Sequence, residues 1–327
     1  MSLRQRLAYG ALCTLREPFR RLPVATSLSL GAALGRLYAV LGGRRVEFAR
    51  INLRIAFPEW SDAKRRRVLR ESLANVGRSL AELALVQGAH REQVLSGVRI
   101  DGLGNLELAR ARSGCKGVIV LTAHAGAWEL AGMAAAQLGL PLSVVHRRFE
   151  NPQVEAMVRR WREGSGMQLL PMGRALTGVT RALRRGDSVL MLIDQDAPRS
   201  EAVFADFFGV PAATLSAPAA IAMRTGASVV PACVAREGTG ARHVVRLGEP
   251  LALEKGDVSD SRCLEANVAA MNRAVEAIVR AAPDQWSWLH RRWRTRPGPG
   301  EPGPYPSRRG RVRDAMPLPS AHSGSSK

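Results

Sequence analysis

Lysine is almost absent from this chain of 327 residues, where it occurs only at Lys64, Lys116, Lys255 and Lys327. Arginine therefore supplies nearly all of the positive charge, and the 48 basic residues outnumber the 28 acidic ones to leave a net charge of +20. A charge of this size indicates an anionic partner. Nucleic acid, an anionic membrane surface, an acidic carrier protein and a phosphorylated substrate all satisfy that requirement.

Cysteine is also scarce, and its spacing excludes two kinds of site. The four cysteines lie far apart, at Cys13, Cys115, Cys233 and Cys263. No CxxC pair or zinc-ligand spacing arises, so the sequence predicts neither a metal site nor a disulfide framework. We interpret these residues as small apolar side chains of a protein from a reducing compartment.

The hydrophobic run near the N-terminus is too rich in Gly and Ser, and too interrupted by charge, to be a good membrane-spanning segment. The stretch LPVATSLSLGAALGRLYAVLGG (22–43) is broken by Arg36 and is not followed by a convincing signal-peptide cleavage site. Leucines recur within it at helical spacing, at Leu30, Leu34, Leu37 and Leu41. Residues 1–45 are therefore predicted to be a basic, amphipathic segment whose helix lies on the bilayer. Packing of this helix on the domain core is the alternative.

Two different patterns follow. Residues 46–95 show helical periodicity, with Ser61 as the predicted N-cap of a helix over 62–88. In residues 96–250, short β-rich runs alternate with helix-length segments. These runs cover 117–123, 142–146, 167–170, 188–193, 227–235 and 243–247. The alternation predicts an α/β fold that has a mostly parallel central sheet with helices on both faces, preceded by a helical N-terminal portion.

The C-terminal part divides into a helix, a Trp/Arg segment and a tail. Residues 251–294 contain a predicted helix over 261–281 and complete a domain that begins at residue 46. Trp286, Trp288 and Trp293 alternate with arginines, a composition typical of nucleic-acid platforms and of membrane interfaces; the second interpretation is favoured. Residues 295–327 are rich in Pro, Gly, Ser and Arg and are predicted to be disordered.

The stretch TAHAGAWELAG (122–132) carries the clearest chemistry. His124 stands where the strand over 117–123 ends, and Glu129 follows five residues later. On one continuous helix the two would lie about 140° apart, so they meet only if His124 is in the loop and Glu129 in the first helical turn. Glu129 would then accept a hydrogen bond from one imidazole nitrogen, which leaves the other to deprotonate a hydroxyl. The alternative is a locally packed histidine and a solvated glutamate.

This stretch resembles the histidine, four residues, acidic residue motif of glycerolipid acyltransferases. The His-x-Gly-x-Trp-Glu form is similar to that of the bacterial lipid A biosynthesis (lauroyl/myristoyl) acyltransferase family. Further stretches match that family in order, over roughly residues 25–296. They are NLRIAFPEWS, VVHRRFENPQVEAMVRRWREGSG, LIDQDAPRSEAVFADFFGVPAATLSAPAAIAMRTGASVVP and DQWSWLHRRWRTRP. The resemblance implies an enzyme that moves an acyl chain from an acyl thioester to a glycolipid hydroxyl.

The resemblance also implies roles for individual residues. His124 would be the general base and Glu129 its orienting partner, and Arg147 would bind a phosphate or the developing oxyanion, with Arg148 sharing or taking that role. Asp194, Gln195 and Asp196 would position the acceptor sugar or hold the arginine, unless they form only a turn. Phe207 and Phe208 would wall an acyl channel or make membrane-facing apolar contacts, unless they belong to the core.

The implied co-substrate is an acyl thioester, and no further cofactor is expected. The implied partners are acyl carrier protein, a glycolipid acceptor such as a lipid A precursor and the anionic membrane surface, at the cytoplasmic face of the inner membrane; no nucleic acid is expected. A phosphatidylinositol mannoside or other glycolipid acyltransferase using acyl-CoA is a rival with the same chemistry. A basic membrane or nucleic-acid binding protein without catalysis is a rival of another class, although no nucleic-acid-binding signature is present.

Overall fold

The computed structural model describes residues 2–172, 175–298 and 300–306. The helices are α1 (Leu3–Arg21), α2 (Val24–Leu41), α3 (Arg44–Ala56), α4 (Asp62–Leu85), α5 (Arg91–Leu95), α6 (Leu103–Arg112), α7 (Trp128–Gln137), α8 (Pro152–Glu163), α9 (Ala175–Arg185), α10 (Ala217–Thr225) and α11 (Ser261–Ala281). The strands are β1 (Val98–Asp101), β2 (Val118–Thr122), β3 (Leu142–His146), β4 (Gln168–Pro171), β5 (Ser188–Leu192), β6 (Ala202–Phe207), β7 (Val210–Leu215), β8 (Val229–Arg236) and β9 (His243–Leu247).

Seven of these strands form one mixed sheet in the order β1-β9-β8-β2-β5-β3-β4. All neighbouring pairs are parallel except β8 and β9, which form an antiparallel pair. The predicted α/β fold with a mostly parallel sheet is thus confirmed. In the centre, β2 lies between β8 and β5, and β5 in turn lies next to β3, so three consecutive parallel strands deliver their carboxyl ends to one edge.

Helices cover both faces of the sheet because its central strands are apolar on both sides. On β2, Ile119 and Leu121 belong to one core cluster, whereas Val118 and Val120 belong to the other. The side chains of a strand point alternately to opposite faces, so a fully apolar strand requires a cover on each. Helices α9 and α11 contact the sheet on the first face, and α6 and α7 on the second.

The N-terminal helix α2 packs against α4 through glycines. A Cβ added to Gly31 would lie 2.5 Å from the carbonyl oxygen of Gly77, and one added to Gly35 would lie 2.0 Å from that of Leu73. Only hydrogen side chains permit two helix backbones to come this close. The pairing is antiparallel, since increasing positions on α2 meet decreasing positions on α4.

The opposite side of α2 is open. Its exposed leucines are Leu30, Leu34, Leu37 and Leu41, and α1 exposes Leu3, Leu7, Leu12 and Leu15. We call these eight side chains the leucine surface. Among the described residues, α2 is the one helix whose length and hydropathy suffice to cross a membrane, and 22% of that window is buried in the protein. The packing alternative describes one face of α2, which lies on α4, whereas the contact of its exposed face with a bilayer stays a prediction.

Several elements differ from the sequence-based expectation. The hairpin of β6 and β7 was not predicted, nor were β1 and α6. The predicted disorder is wrong for the described residues between 295 and 306. The hydroxyl of Tyr305 donates to Oδ1 of Asn52 at 2.5 Å and accepts from the backbone N–H of Trp293 at 3.1 Å. The half-buried Tyr305 thus fixes a segment whose average composition predicts no core. Residues 307–327 lie outside the described part of the chain.

Candidate active site

His124 lies in the loop between β2 and α7, at the carboxyl edge of the sheet. The loop is held by residues 282–296, which follow α11 and which we call the closing segment. The backbone N–H of Ser287 donates to the carbonyl oxygen of His124, and that of Gly126 donates to the carbonyl oxygen of Gln285, both at 2.9 Å. Gly126 has φ of 59°, and a Cβ there would lie 2.3 Å from the carbonyl oxygen of Val234. A glycine is therefore required for the turn that presents His124.

Asp194 follows β5, the strand next to β2, and its carboxylate is fully buried against His124. Nδ1 of His124 lies 2.8 Å from Oδ1 of Asp194, and the backbone N–H of His124 donates to Oδ2 at 2.9 Å. The indole N–H of Trp286 also donates to Oδ2, at 2.7 Å. The carboxylate therefore fixes both the ring and the backbone of His124, and is itself fixed by the closing segment.

The electrostatics of this pair favour a proton on Nδ1. Burial opposes ionisation of Asp194, but the charge and hydrogen bonds of His124 and the hydrogen bond from Trp286 outweigh it, so the pKa of Asp194 is lowered well below its usual range. An ionised carboxylate accepts only, so Nδ1 donates and Nε2 keeps its lone pair. No described residue makes a hydrogen bond to Nε2, and 27% of the side chain is exposed.

The pKa of His124 is raised above the ordinary histidine value. Burial disfavours the imidazolium and acts in the opposite direction, but the charge and hydrogen bond of Asp194, followed by the charge of Glu129, outweigh it. The nearby guanidinium of Arg162 offsets part of this effect. His124 is therefore a stronger base than a free imidazole.

The predicted hydrogen bond between His124 and Glu129 is wrong. His124 is indeed in the loop, and Glu129 is the second residue of α7, but its carboxylate turns to Arg162. Nε of Arg162 donates to Oε2 at 3.0 Å, and Nη2 donates to Oε1. A guanidinium offers two parallel donors to a carboxylate, whereas Asp194 already occupies Nδ1 of the imidazole. Glu129 acts on His124 through its charge and not through a hydrogen bond.

The other predicted polar residues are distributed around the same edge. Arg147 and Arg148 follow β3 and are exposed, and neither guanidinium forms a hydrogen bond or an ion pair with the part of the chain that the structure describes. The side chain of Gln195 is exposed. Asp196 turns away to the closing segment, where it accepts from the backbone N–H of Thr295 at 2.9 Å and pairs with Arg294 at 2.9 Å.

The aromatic residues expected at substrate or membrane surfaces lie in the core instead. Phe207 and Phe208 are 0% and 6% exposed, and Phe207 packs on Trp286 and Trp293. The burial of both side chains matches the core alternative, and no surface of Phe207 is free to wall an acyl channel. The membrane interpretation of Trp286, Trp288 and Trp293 is wrong for the same reason, since all three are fully buried.

Two apolar cavities meet at Trp128, whose ring packs edge-to-face on His124 with centroids 5.2 Å apart. The first, which we call the sheet cavity, has about 60 Å³ and lies between the sheet and α7, where Ala131, Gly132 and Ala135 line it. The second has about 170 Å³ and lies between α4, α7 and α8, with Glu129 and Arg162 at its edge. Both are lined almost wholly by apolar side chains.

Comparison with known proteins identifies the class. The family model described as bacterial lipid A biosynthesis acyltransferase matches residues 11–295. Among its relatives, the lipid A biosynthesis palmitoleoyltransferase of Escherichia coli (strain K12) is 28% identical over 85% of this chain and 88% of its own length. The lauroyltransferase of that organism is 28% identical over 87% and 90%, and its myristoyltransferase is 29% identical over 84% and 82%.

The protein is therefore an acyltransferase, as the resemblance implied. The chain belongs to the bacterial lipid A biosynthesis acyltransferase family.

Proposed function

We propose that this protein transfers a fatty acyl chain from an acyl thioester, carried by acyl carrier protein, to a hydroxyl of a phosphorylated glycolipid such as a lipid A precursor. The reaction takes place at the cytoplasmic face of the inner membrane. The observation that carries this proposal is the His124–Asp194 pair, which leaves Nε2 of a strengthened base free at the carboxyl edge of the sheet. The names of the relatives support the acceptor class.

The chemistry follows from this geometry. Nε2 of His124 removes the proton of the acceptor hydroxyl while its oxygen attacks the thioester carbonyl. Asp194 stabilises the resulting imidazolium, as a buried carboxylate does in a catalytic triad. The tetrahedral intermediate then collapses, the C–S bond breaks and the thiolate takes the proton from the imidazolium. Acyl transfer is complete without a covalent intermediate on the protein.

Arg147 and Arg148 are proposed to bind the phosphate of the acceptor or to stabilise the oxyanion. They follow β3, which pairs with β5, so they stand at the edge that carries Asp194. Their lack of an ion pair within the described residues leaves their charge available. The loss of one oxyanion donor typically costs about 3 kcal/mol of transition-state stabilisation, whereas the loss of a phosphate contact raises KM for the acceptor.

The sheet cavity is proposed to receive the acyl chain. It begins at Trp128 and Thr122, near His124, and continues to Ser188 at the opposite end of β5. Because Ser188 pairs with Val118, four residues before Thr122, this path is roughly 13 Å long. A larger side chain at Ala135 narrows it, so Ala135→Phe should shift the preferred donor towards shorter chains. If the preference for donor chain length is unchanged in Ala135→Phe, the acyl chain binds in another cavity.

The leucine surface supports membrane association. Eight exposed leucines on two adjacent helices, in a chain of net charge +20, suit an anionic bilayer. Replacement of Leu30, Leu34 and Leu37 by asparagine should weaken sedimentation with vesicles that contain anionic lipid. Replacement of Leu103 and Leu138, which are exposed elsewhere, provides the control.

The decisive experiment is an acyl-transfer assay with the purified full-length protein. The assay offers a phosphorylated lipid A precursor together with lauroyl, myristoyl or palmitoleoyl thioesters, carried either by acyl carrier protein or by coenzyme A. The masses of the products are measured by mass spectrometry. We expect a gain of one acyl chain with the carrier-protein donors, and its loss in His124→Ala but not in His90→Ala. Transfer from coenzyme A alone would favour the rival donor. Equal activity of His124→Ala and the native protein would refute the mechanism.

A further inference from the structure

A second histidine, His146, is buried beside the site and belongs to no role described so far. It is the last residue of β3, and its side chain is 4% exposed. Nε2 lies 2.9 Å from Oε1 and 3.0 Å from Oε2 of Glu155, and Nδ1 lies 2.9 Å from Nη1 of Arg162. Glu155 and Arg162 stand seven residues apart on α8, two turns along the same helix face. One helix therefore holds the ring from both of its nitrogens.

These contacts are compatible with one protonation state of His146. A guanidinium can only donate hydrogen bonds, so Nδ1 must be the acceptor and carry no proton. Nε2 then carries the proton and donates to the carboxylate of Glu155. Protonation of Nδ1 would place two donors against each other, and the charged groups facing the ring are Arg162 and Glu155, both on α8.

The two partners of His146 each contact a different part of the candidate active site: Arg162 contacts Glu129, and Glu155 contacts the loop that carries Arg147 and Arg148. All three nitrogens of Arg162 are engaged, with Nε and Nη2 on Glu129 and Nη1 on His146. Glu129 is thereby held in the first turn of α7 near His124. Glu155 also accepts from the backbone N–H of Phe149 at 3.0 Å, which anchors the loop that carries Arg147 and Arg148.

We propose that His146 and Glu155 form a positioning pair for acyl transfer: His146 orients Arg162 and through it Glu129, and Glu155 orients the loop of Arg147 and Arg148. Neither residue touches the reacting atoms. This inference rests on the proposed function, because its kinetic consequences are read from acyl transfer.

Two substitutions of His146 separate its two hydrogen bonds. Oδ1 in His146→Asn takes the place of Nδ1, so it keeps the acceptor for Arg162 and loses the donor to Glu155. Nε2 in His146→Gln takes the place of the ring Nε2, so it keeps the donor and loses the acceptor. We expect kcat to fall about 10- to 100-fold in His146→Gln, because a misplaced Glu129 disturbs the site, and by less than about threefold in His146→Asn.

Glu155→Gln tests the other arm. It should raise KM for the phosphorylated acceptor with a smaller effect on kcat, because the loop of Arg147 and Arg148 loses its ionised anchor. Glu163→Gln is the matched control, since Glu163 lies on the same helix and pairs with Arg159 at the surface. Thermal unfolding of every variant measures the purely structural contribution.

Three results would overturn the proposal. The first is equal kcat in His146→Asn and His146→Gln with equal losses of Tm, which is the signature of a merely structural histidine. The second is an additive loss when His146→Gln is combined with Arg162→Ala, since a residue that acts through Arg162 has no further effect once Arg162 is removed. The third is independent of activity: the ¹⁵N signals of His146 must report a bare Nδ1 and a protonated Nε2, and the reverse tautomer refutes it. If the native protein transfers no acyl chain, the proposed function fails, and the tautomer still decides the positioning pair.

Discussion

The two carboxylates nearest His124 differ in every respect that determines their chemistry. Asp194 is completely buried and accepts three hydrogen bonds, two of them from His124 itself. Glu129 is 22% exposed, borders a cavity and pairs with a cation. Asp194 therefore fixes the orientation and tautomer of His124, whereas the charge of Glu129 raises the pKa of His124. Asp194 thus orients the ring of His124, and Glu129 stabilises its protonated form through charge.

The largest expected effect comes from removal of the charge that fixes the tautomer. Asp194→Asn should lower kcat about 10³- to 10⁴-fold, because the amide no longer dictates a proton on Nδ1 and a free lone pair on Nε2. Initial rates of acyl transfer at saturating substrate measure this loss. Asp187→Asn is the control, since Asp187 precedes β5 at its other end and accepts from Ser143 at 2.7 Å. Similar losses in both variants would mean that the carboxylate at 194 serves only the fold.

A smaller effect is expected at the second carboxylate. Glu129→Gln should lower kcat/KM about 10- to 100-fold at neutral pH, because the amide keeps one hydrogen bond to Arg162 but leaves its charge uncompensated beside His124. The same assay, with Glu163→Gln as control, measures it. A loss as large as that of Asp194→Asn would reverse the division of roles between the two acids.

The pH profile sharpens the comparison further. As the proposed general base, His124 must be neutral, so kcat/KM should fall as the pH drops through the pKa of His124, which lies above the ordinary value of about 6.5. Glu129→Gln should move this acid limb to lower pH, because the lost negative charge had stabilised the imidazolium. Rates across a pH series in both proteins test the shift. An acid limb at the same pH in both proteins would show that the charge of Glu129 does not affect the pKa of His124.

The smallest effect is expected at the indole that supports Asp194. Trp286→Phe removes the N–H that donates to Oδ2 at 2.7 Å but keeps an aromatic ring in the core. Activity should fall less than about tenfold and Tm should decrease, because a hydrogen bond to a buried charge contributes about 1.5–3 kcal/mol. Trp288→Phe, whose indole N–H donates to the carbonyl oxygen of Pro283, is the matched control for loss of an indole donor. A greater loss of activity in the control would exclude a specific role for Trp286.

The sequence predicted the sheet well because its strands are compact apolar runs. The runs over 142–146 and 243–247 coincide with β3 and β9, and Ser61 caps α4 by accepting from the N–H of Lys64. The β6–β7 hairpin was not predicted because its two six-residue strands contain Asp206, Pro211 and several alanines, residue types that are depleted in strands. Strand order, by contrast, is a non-local property that no local pattern encodes.

The site shows the same limit. His124 and Asp194 were both recognised as residues at strand ends, but 70 positions separate them, and only the pairing of β2 with β5 makes them neighbours. Proximity along the chain favoured Glu129 instead. Arg162 and His146 carried no sequence signal beyond helical spacing and a strand end, so their convergence could not be foreseen. The prediction that the tryptophans lie at a membrane interface was wrong because composition alone does not distinguish a core from an interface.

The glycine contact between α2 and α4 connects the leucine surface to the segment that holds the loop of His124. The α4 helix that Gly31 and Gly35 press against also holds the closing segment, through Ser72 on the carbonyl oxygen of Trp286 and Asn75 on that of Asp284. If the leucine surface rests on lipid, as proposed, this backbone contact between α2 and α4 fixes the height of His124 above the bilayer. A Cβ at Gly77 would lie 2.0 Å from the carbonyl oxygen of Gly31, so Gly77→Ala should push α2 and α4 apart and shift the segment that holds the loop of His124.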